Sequence, residues 1–336
     1  MQSLQTELSS IQTPLVSFII VVDNNPVEHL QECLRSIFQL SLNAKEREII
    51  LVDDGSDVCP LGELKEWEED IIYIRQRRQG KATARNRGLQ MATGKFIQFV
   101  DGDDHLIRAP YEHCLDIVRY HNPDIVYFEE TNKSEVEIPF TYSAPISGSI
   151  YLHNNSLRAS ACSYLFRYSL LINLRFTPGV LQEDEEFTPQ LFLRADRVIS
   201  TSSKAYFYRN KKSNIDTSAN KHTKCQQLTD MERIIFRLQE VANTLHGSDR
   251  IALNRRIAQL TMDYLYNTIV LTRSYRHLKE NIKRMHNRGL YPLPEKNYTK
   301  KYHLFRKLIN TRIGRIILLL TLPKRKSAFY VNIQIF

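Results

Sequence analysis

Between residues 16 and 128 the chain alternates short apolar runs with segments of helical periodicity, and this alternation limits the possible folds more than any other feature. Val16–Val22 (VSFIIVV) and Glu48–Val52 (EIILV) are rich in β-branched residues, which is typical of strands buried on both faces. Three more strands are predicted at Ile71–Ile74, Lys95–Val100 and Asp124–Phe128. Alternating strands and helices with short links predict an α/β fold with a doubly wound, mostly parallel sheet.

The segments between and after these strands complete the set of predicted elements. Helices are predicted after Pro26 and at Leu61–Glu69, Lys81–Met91, Tyr111–Tyr120, Cys162–Leu171 and Phe187–Leu193, and one more strand at Ala205–Tyr208. Leu228–Leu290 has a helical pattern with few helix-breaking residues. We therefore expect a flexible N-terminus over 1–13, an α/β domain over 14–225 and a helical, basic C-terminal region over 226–336.

Carboxylates follow three of the predicted strands. In chain order they are Asp23, Asp53, Asp54, Asp101, Asp103 and Asp104. Ligands of such sheets bind outside the carboxyl ends of the strands, so we expect these acids to converge on one edge. Two carboxylates one residue apart, as at Asp101 and Asp103, can hold a hard divalent cation through their oxygens. Acidic turns and helix N-termini also favour Asp, so this motif alone leaves both interpretations open.

Two further segments could contact a ligand at the same edge. In Asp53-Asp54-Gly55-Ser56 a carboxylate can accept hydrogen bonds from a base or a ribose, or the four residues can form an ordinary Asp-Gly turn. In Gly80–Gly88 the Lys and Arg side chains suit a diphosphate, or the segment forms a solvated loop and a helix start. The chain lacks the GxGxxG and GxxxxGKS/T patterns, so dinucleotide-binding and P-loop interpretations lose their main support.

A second acidic cluster is Glu183-Asp184-Glu185-Glu186. Adjacent acids raise one another's pKa by repulsion, so one of them could act as a general base. Acids are also favoured in the first turn of a helix, where they face the positive end of its dipole. By itself the cluster favours this structural role.

In their order and spacing these segments resemble the family 2 glycosyltransferases, which have the nucleotide-sugar-binding GT-A fold. The resemblance runs from Val16 to about Ser213 and is carried by VSFIIVVDNN, EIILVDDGSD, GKATARNRGLQMATGKFIQFVDGDD, QEDEEF and YFYRNKKS. It implies inverting transfer of a sugar from a nucleoside diphosphate sugar, most simply a UDP-sugar, to a hydroxyl of a glycan or lipid-linked glycan. The domain over 14–225 would then be the catalytic domain, of the type that builds bacterial cell-surface polysaccharides.

The resemblance also implies roles for individual residues. Positions that match the nucleobase and ribose pocket are Val21, Asp23, Asp53 and Asp54. Arg85 falls near the donor diphosphate, Asp184 matches the catalytic base, and Arg209 and Ser213 fall on a segment that often covers the donor. Positions that match the DxD turn, which would bind Mn²⁺ or Mg²⁺, are Asp101, Gly102, Asp103 and Asp104. Where the family usually has a Pro and an aromatic residue at the end of the first strand, this chain has Val21 and Asp23.

Two other functions are compatible with parts of this pattern. An Asp-nucleophile phosphatase also has a DxD motif after a strand, although it has the motif on its first strand and needs a downstream Lys. A module that binds cations or a nucleotide sugar without turnover would need the same carboxylates but no base.

The net charge of +9 is concentrated at the C-terminus, since residues 1–229 hold 25 Lys and Arg against 30 Asp and Glu, and 230–336 hold 21 against 7. In 300–326 the cations accompany an apolar stripe at three- and four-residue steps: Phe305, Leu308, Ile309, Ile313, Ile316, Ile317 and Leu320. A cationic amphipathic helix predicts contact with an anionic membrane surface, or else docking on the catalytic domain. The stripe is aliphatic rather than aromatic, so nucleic acid is not an expected partner.

Cysteine usage and hydropathy predict the compartment. The five Cys are scattered without a CxxC pair, which favours reduced thiols. The longest uncharged apolar run, Ile316–Leu322, is far shorter than the ~20 residues that cross a bilayer. We therefore expect a cytoplasmic protein associated peripherally with the inner face of the membrane.

Overall fold

The computed structural model describes residues 13–133, 139–209, 221–296 and 298–322. The chain divides into two compact units. The first comprises Met1–Tyr151 and Leu157–Asn210, and the second comprises Leu152–Ser156 and Lys211–Phe336. The second unit resumes at Lys211, ten residues before the first long C-terminal helix begins at Lys221 and earlier in the chain than the domain boundary expected after residue 225.

An eight-stranded sheet forms the centre of the first unit. Its strands are β1 (Val16–Val22), β2 (Arg47–Asp53), β3 (Ile72–Arg75), β4 (Phe96–Asp101), β5 (His105–Leu106), β6 (Ile125–Thr131), β7 (Tyr164–Arg167) and β8 (Val198–Phe207). Their order across the sheet is β3-β2-β1-β4-β7-β6-β8-β5. The pairs β1–β2, β1–β4, β2–β3 and β6–β8 are parallel, whereas β7 is antiparallel to β4 and β6, and β5 to β8. The predicted α/β fold with a mostly parallel sheet is confirmed.

The described part of the chain contains ten helices, five that start before residue 185 and five that start at or after residue 221. They are α1 (Val27–Phe38), α2 (Lys81–Met91), α3 (Arg108–His121), α4 (Gly148–Asn154), α5 (Asp184–Leu193), α6 (Lys221–Thr244), α7 (Gly247–Thr272), α8 (Tyr275–Asn287), α9 (Lys300–Ile309) and α10 (Arg312–Thr321). All seven residues of β1 are buried, as expected for a strand covered on both faces. Helix α2 lies so close to β1 that a Cβ added at Gly88 would collide with the Ile19 side chain.

Two sequence-based expectations about these elements are wrong. Cys162–Leu171 is not a helix, because it forms β7 and then a 3₁₀ turn at Tyr168–Leu171. A short apolar run is compatible with a buried strand as well as with a helix. Here the segment is a strand because it lies between β4 and β6 in the sheet. The helix expected at Leu61–Glu69 is replaced by two 3₁₀ turns, Pro60–Glu63 and Lys65–Trp67, since so short a segment gains little from α-helical hydrogen bonds.

The basic tail forms two helices rather than one. In the connection between α9 and α10, Thr311 is the N-cap of α10, and its side chain accepts a hydrogen bond from the Gly314 N–H at 3.1 Å. Gly314 packs directly against the Leu308 carbonyl, a position in which a Cβ would not fit. The last three cations of the expected stripe, Lys324 to Lys326, lie outside the described residues. Within the described residues, none of the helices combines the length and the apolarity needed to cross a membrane.

Gly55, in the turn after β2, is a glycine whose replacement should destabilise the fold. Its φ is +77°, and an added Cβ would lie 2.6 Å from the Arg78 backbone nitrogen. We expect Gly55→Ala to lower the free energy of unfolding by about 1–3 kcal/mol in urea denaturation. Gly62→Ala is the matched control, because nothing lies within 4 Å of its added Cβ. Equal urea midpoints for the two variants would contradict a conformational requirement at Gly55.

Candidate functional site

The carboxyl ends of β1, β2 and β4 lie side by side. In parallel register Val22 is opposite Asp53 across β1 and β2, and Val21 is opposite Asp101 across β1 and β4. The Gly102 N–H donates to the Val21 carbonyl at 3.0 Å, which joins the turn after β4 to the end of β1. Three strands therefore bring their terminal acids to one sheet edge, as the strand pattern predicts.

Asp53 and Asp54 are both buried and hydrogen-bonded to the neighbouring loops. Asp53 accepts from the Ser56 N–H and the Tyr73 hydroxyl, each at 2.8 Å. Asp54 accepts from the Gln79 and Gly80 N–H groups at 2.9 and 2.7 Å, just before α2 begins. These bonds fix the loop conformations on both sides of the strand ends. A role for Asp53 and Asp54 in binding a base or ribose stays a prediction.

Asp23 and Val21, the other two residues expected in the nucleobase pocket, differ in exposure. Val21 is 8% exposed at the end of β1. The Asp23 side chain is half exposed and forms an ion pair with Arg78 at 2.8 Å. This ion pair places Arg78 among the groups at this edge. The predicted contact of Val21 and Asp23 with a nucleobase remains a prediction.

The turn from Asp101 to Asp104 is tied to β8 and to the segment that follows it. The Tyr206 hydroxyl accepts from the Asp101 N–H at 3.1 Å and donates to Asp104 at 2.8 Å. The Arg209 N–H donates to the other Asp104 oxygen at 2.8 Å, and the Arg209 guanidinium donates to the Asp103 carbonyl and to Glu32. Arg209 thus contacts the DxD turn directly, whereas Ser213 lies outside the described residues.

Asp104 has an unusual environment for a carboxylate. Burial, together with the charge of Asp101, raises the pKa of Asp104 to about 7, although the bonds from Arg209 and Tyr206 act in the opposite direction. Tyr206 is 1% exposed, and nothing in the apolar pattern of β8 marks it as a site residue. Sequence reasoning therefore missed it, together with Glu32.

The donor atoms of this turn suit a hard divalent cation that a substrate helps to bind. Among the described residues no group of three or more His, Cys, Asp and Glu side chains is arranged to hold a metal ion. Mg²⁺ sites often use only one or two carboxylates and are completed by substrate phosphates and water. Asp103 and Asp104 are adjacent oxygen donors of this kind, with 7% and 3% of their surfaces exposed. Asp101 already contacts Lys81 and a second cation, so it is the less available ligand.

That second cation is Arg85, which links the DxD turn to the acidic cluster at the start of α5. Arg85 is 1% exposed, and its guanidinium forms ion pairs with Asp184, with Glu183 at 3.0 Å and with Asp101 at 3.5 Å. Burial would lower the pKa of Arg85, but the neighbouring acids, above all Asp184, raise it well above its ordinary value. Asp184 and Asp101, 83 residues apart in sequence, therefore contact the same permanently charged group.

Asp184 is held by contacts on both of its oxygens. Oδ1 accepts from Arg85 and Oδ2 accepts from the Ala161 N–H at 3.2 Å. Asp184 is also the first residue of α5, so the helix-start interpretation of the acidic cluster is confirmed, and a role of Asp184 as a base stays a prediction. Burial and the charge of Asp184 raise the pKa of the neighbouring Glu183. The sequence placed Arg85 near a diphosphate and gave no sign of its contact with Glu183 and Asp184.

Comparison with known proteins links this geometry to a family. The family model for glycosyl transferase family 2 matches residues 17–161. The glycosyltransferase GlyA of Streptococcus pneumoniae serotype 4 is 28% identical over 59% of this chain. The match covers 31% of GlyA, so this chain spans less than a third of that relative's length.

Two solved structures share the fold. Residues 1–349 of Staphylococcus aureus TarS in complex with UDP-GlcNAc align with a TM-score of 0.67 at 18% identity, over 90% of this chain and 88% of the TarS chain. The mannosyltransferase PcManGT from Pyrobaculum calidifontis, in complex with GDP-Man and Mn²⁺, aligns with a TM-score of 0.56 at 14% identity, over 92% and 87% of the two chains. Residues 17–161 thus match the model of glycosyl transferase family 2, and the chain shares the fold of these two glycosyltransferase structures.

Proposed function

We propose that this chain transfers a sugar from a nucleoside diphosphate sugar, in the first instance a UDP-sugar, to a hydroxyl of a glycan or lipid-linked glycan. The observation that carries the proposal is the position of Arg85, which contacts both Asp101 of the DxD turn and Asp184 at the start of α5. A candidate base and a candidate cation site thus lie on either side of one guanidinium. A sugar donor whose diphosphate reached the turn would have its anomeric carbon within this space.

Asp184 is proposed as the general base of an inverting single displacement. One of its oxygens takes the proton of the acceptor hydroxyl while the hydroxyl oxygen bonds to the anomeric carbon, and the bond from that carbon to the diphosphate oxygen breaks. Arg85 and the Ala161 N–H each occupy one lone pair, so both Asp184 oxygens keep a further lone pair for a proton. This arrangement orients the carboxylate without blocking it.

The DxD turn is proposed to bind the donor through Asp103 and Asp104. A divalent cation at these oxygens, Mn²⁺ or Mg²⁺, supplies charge neutralisation for the departing nucleoside diphosphate. Tyr206 and Arg209 hold Asp104 in place, and Arg209 also fixes the backbone of Asp103. The positive side chains of Lys81 and Arg85 pair with Asp101 of the same turn and can attract the diphosphate.

The proposal is tested by incubating the full chain with a panel of UDP- and GDP-sugars in Mn²⁺, Mg²⁺ or EDTA and measuring the release of nucleoside diphosphate. Metal-dependent release from one nucleotide sugar is the expected result. Hydrolysis of a generic phosphoester without such release would instead indicate a phosphatase. Donor binding by calorimetry without any release, in the presence of candidate acceptors, would indicate a non-catalytic module.

Asp103→Asn is expected to weaken donor binding only when metal is present. The amide keeps the size of the side chain but removes the negative charge that a divalent cation requires, so we expect the donor Kd in Mn²⁺ to rise about 10-fold or more. Calorimetry in Mn²⁺ and in EDTA measures the difference. Asp116→Asn is the matched control, since that side chain is 58% exposed on α3. An equal Kd for the two variants in Mn²⁺ would remove Asp103 from the cation site.

A further inference from the structure

Helix α10 exposes a continuous aliphatic face. The residues are Ile313, Ile316, Ile317 and Leu320, with 74, 50, 42 and 78% of their surfaces exposed. Their steps of three, one and three residues put all four on one side of the helix. Four large aliphatic side chains together on one ten-residue helix form an apolar patch of the kind that marks an interaction site.

The opposite face of α10 is fixed to the second unit. Leu318 is 4% exposed, and Gly314 packs against the carbonyl of Leu308. The Arg273 guanidinium, at the end of α7, donates to the carbonyls of Leu319 and Leu322 at the other end of the helix. Because both ends are anchored, α10 presents its aliphatic face outward and does not need to refold to do so.

In the structure, only part of the apolar stripe indicated by the sequence is exposed. Of its three members on α9, Phe305 and Ile309 are buried at 5% and 0% exposure and pack within the second unit, and Leu308 is partly exposed. The stripe therefore has two functions: its α9 half holds the helices together, and its α10 half is available to a partner. Within the described residues, the membrane-binding surface expected over 300–326 is therefore limited to α10 and the cations beside it.

The charges around the aliphatic face of α10 indicate which kind of partner it binds. No Asp or Glu follows Glu295 in the chain, whereas residues 298–322 contain six Lys and Arg. Lys300, Lys307 and Arg312 are exposed, and Arg306 is paired with Glu295 at 3.0 Å. A second copy that docked through the same face would bring the same cations, and residues 298–322 hold no acid to compensate them. An anionic bilayer supplies both an apolar layer for the isoleucines and phosphates for the cations.

We propose that α10 inserts its aliphatic face into the surface of an anionic lipid bilayer, with Lys300, Lys307 and Arg312 at the level of the headgroup phosphates. The proposal rests on the second unit alone and does not depend on the proposed sugar transfer. Binding of this kind would concentrate the chain where lipid-linked acceptors are confined. A single short helix plus a few cations gives reversible rather than permanent attachment.

The full chain should co-sediment with vesicles of phosphatidylcholine and phosphatidylglycerol much more than with phosphatidylcholine alone, and less as salt is raised. In the double variant Ile316→Ser, Ile317→Ser we expect the partition coefficient for anionic vesicles to fall roughly 10-fold or more. Ile251→Ser is the matched control, because Ile251 is an isoleucine 58% exposed on α7. The control should bind as the wild type does. Circular dichroism verifies that both variants are folded.

Three results would overturn the proposal. The first is equal binding of the double variant and the Ile251→Ser control to anionic vesicles, and the second is no binding by the wild type. The third is self-association of the wild type in sedimentation velocity that the double variant loses, which would assign the face to a second copy. Nucleoside diphosphate release without vesicles is measured in parallel, so that a failure of membrane binding and a failure of sugar transfer are told apart.

Discussion

Asp184→Asn is expected to lower the rate of sugar transfer by about 10²–10⁴-fold while leaving the affinity for the donor close to that of the wild type. Asparagine keeps the shape of the side chain, and its carbonyl oxygen can still accept from Arg85. It cannot take a proton from the acceptor hydroxyl at neutral pH. The loss should therefore appear in kcat for transfer and not in the donor Kd, which calorimetry measures in Mn²⁺.

The control for this variant is Glu186→Gln, which changes an acid two residues further along the first turn of α5. It removes one negative charge from the same cluster without touching the carboxylate that Arg85 and Ala161 hold. Transfer by Glu186→Gln should stay within a few-fold of the wild type. If both variants lost activity equally, the acidic cluster would act through its total charge and Asp184 would not be the base.

Arg85→Met should be the most destabilising single substitution of those considered. Methionine fills a similar volume but leaves Glu183 and Asp184 without their ion-pair partner, and Asp101 with Lys81 alone. Removing one partner of a buried ion pair typically costs about 3–5 kcal/mol, because the remaining charges stay desolvated. We expect a decrease of that size in the free energy of unfolding, measured by urea denaturation. Arg87→Met, an exposed position on the same helix, is the matched control.

The loss of unfolding free energy in Arg85→Met should become smaller as the pH falls. Burial and Asp184 already raise the pKa of Glu183 in the wild type, and without the charge of Arg85, which lowers it, the pKa of Glu183 should rise further. An acid whose folded pKa is raised destabilises the fold when it is ionised and stops doing so as the pH falls through that pKa. The difference between Arg85→Met and the wild type should therefore shrink from about pH 8 to about pH 5. A constant difference would mean that lost packing, and not exposed charge, causes the effect.

Much of the fold follows from local sequence pattern. The strands β1, β2 and β4 are predictable because each is buried on both faces and so must be apolar along its whole length. The acids that follow them are predictable as neighbours because parallel strands end on the same side of a sheet. The family resemblance then assigns expected roles to single residues, which no local pattern does.

Contacts between residues that are far apart in the sequence could not be predicted from local sequence patterns. The sequence could not place β7 in the sheet, because a four-residue apolar run becomes a strand only when two partners flank it. It put Arg85 near a diphosphate, and gave no sign that Arg85 pairs with Asp184, since 99 positions separate the two. Tyr206 carries no signal either, because its hydroxyl matters only once β8 lies beside the DxD turn.

The sequence by itself therefore determined the strands β1 to β4 and β6, which edge of the sheet collects acids, and that the C-terminus is basic and amphipathic. Only the tertiary structure decided which acids share a cation and which half of the apolar stripe is exposed. The physical reason is that periodicity and charge are local properties of the chain. Burial and ion pairing depend instead on which distant segments the fold brings within a few ångströms of one another.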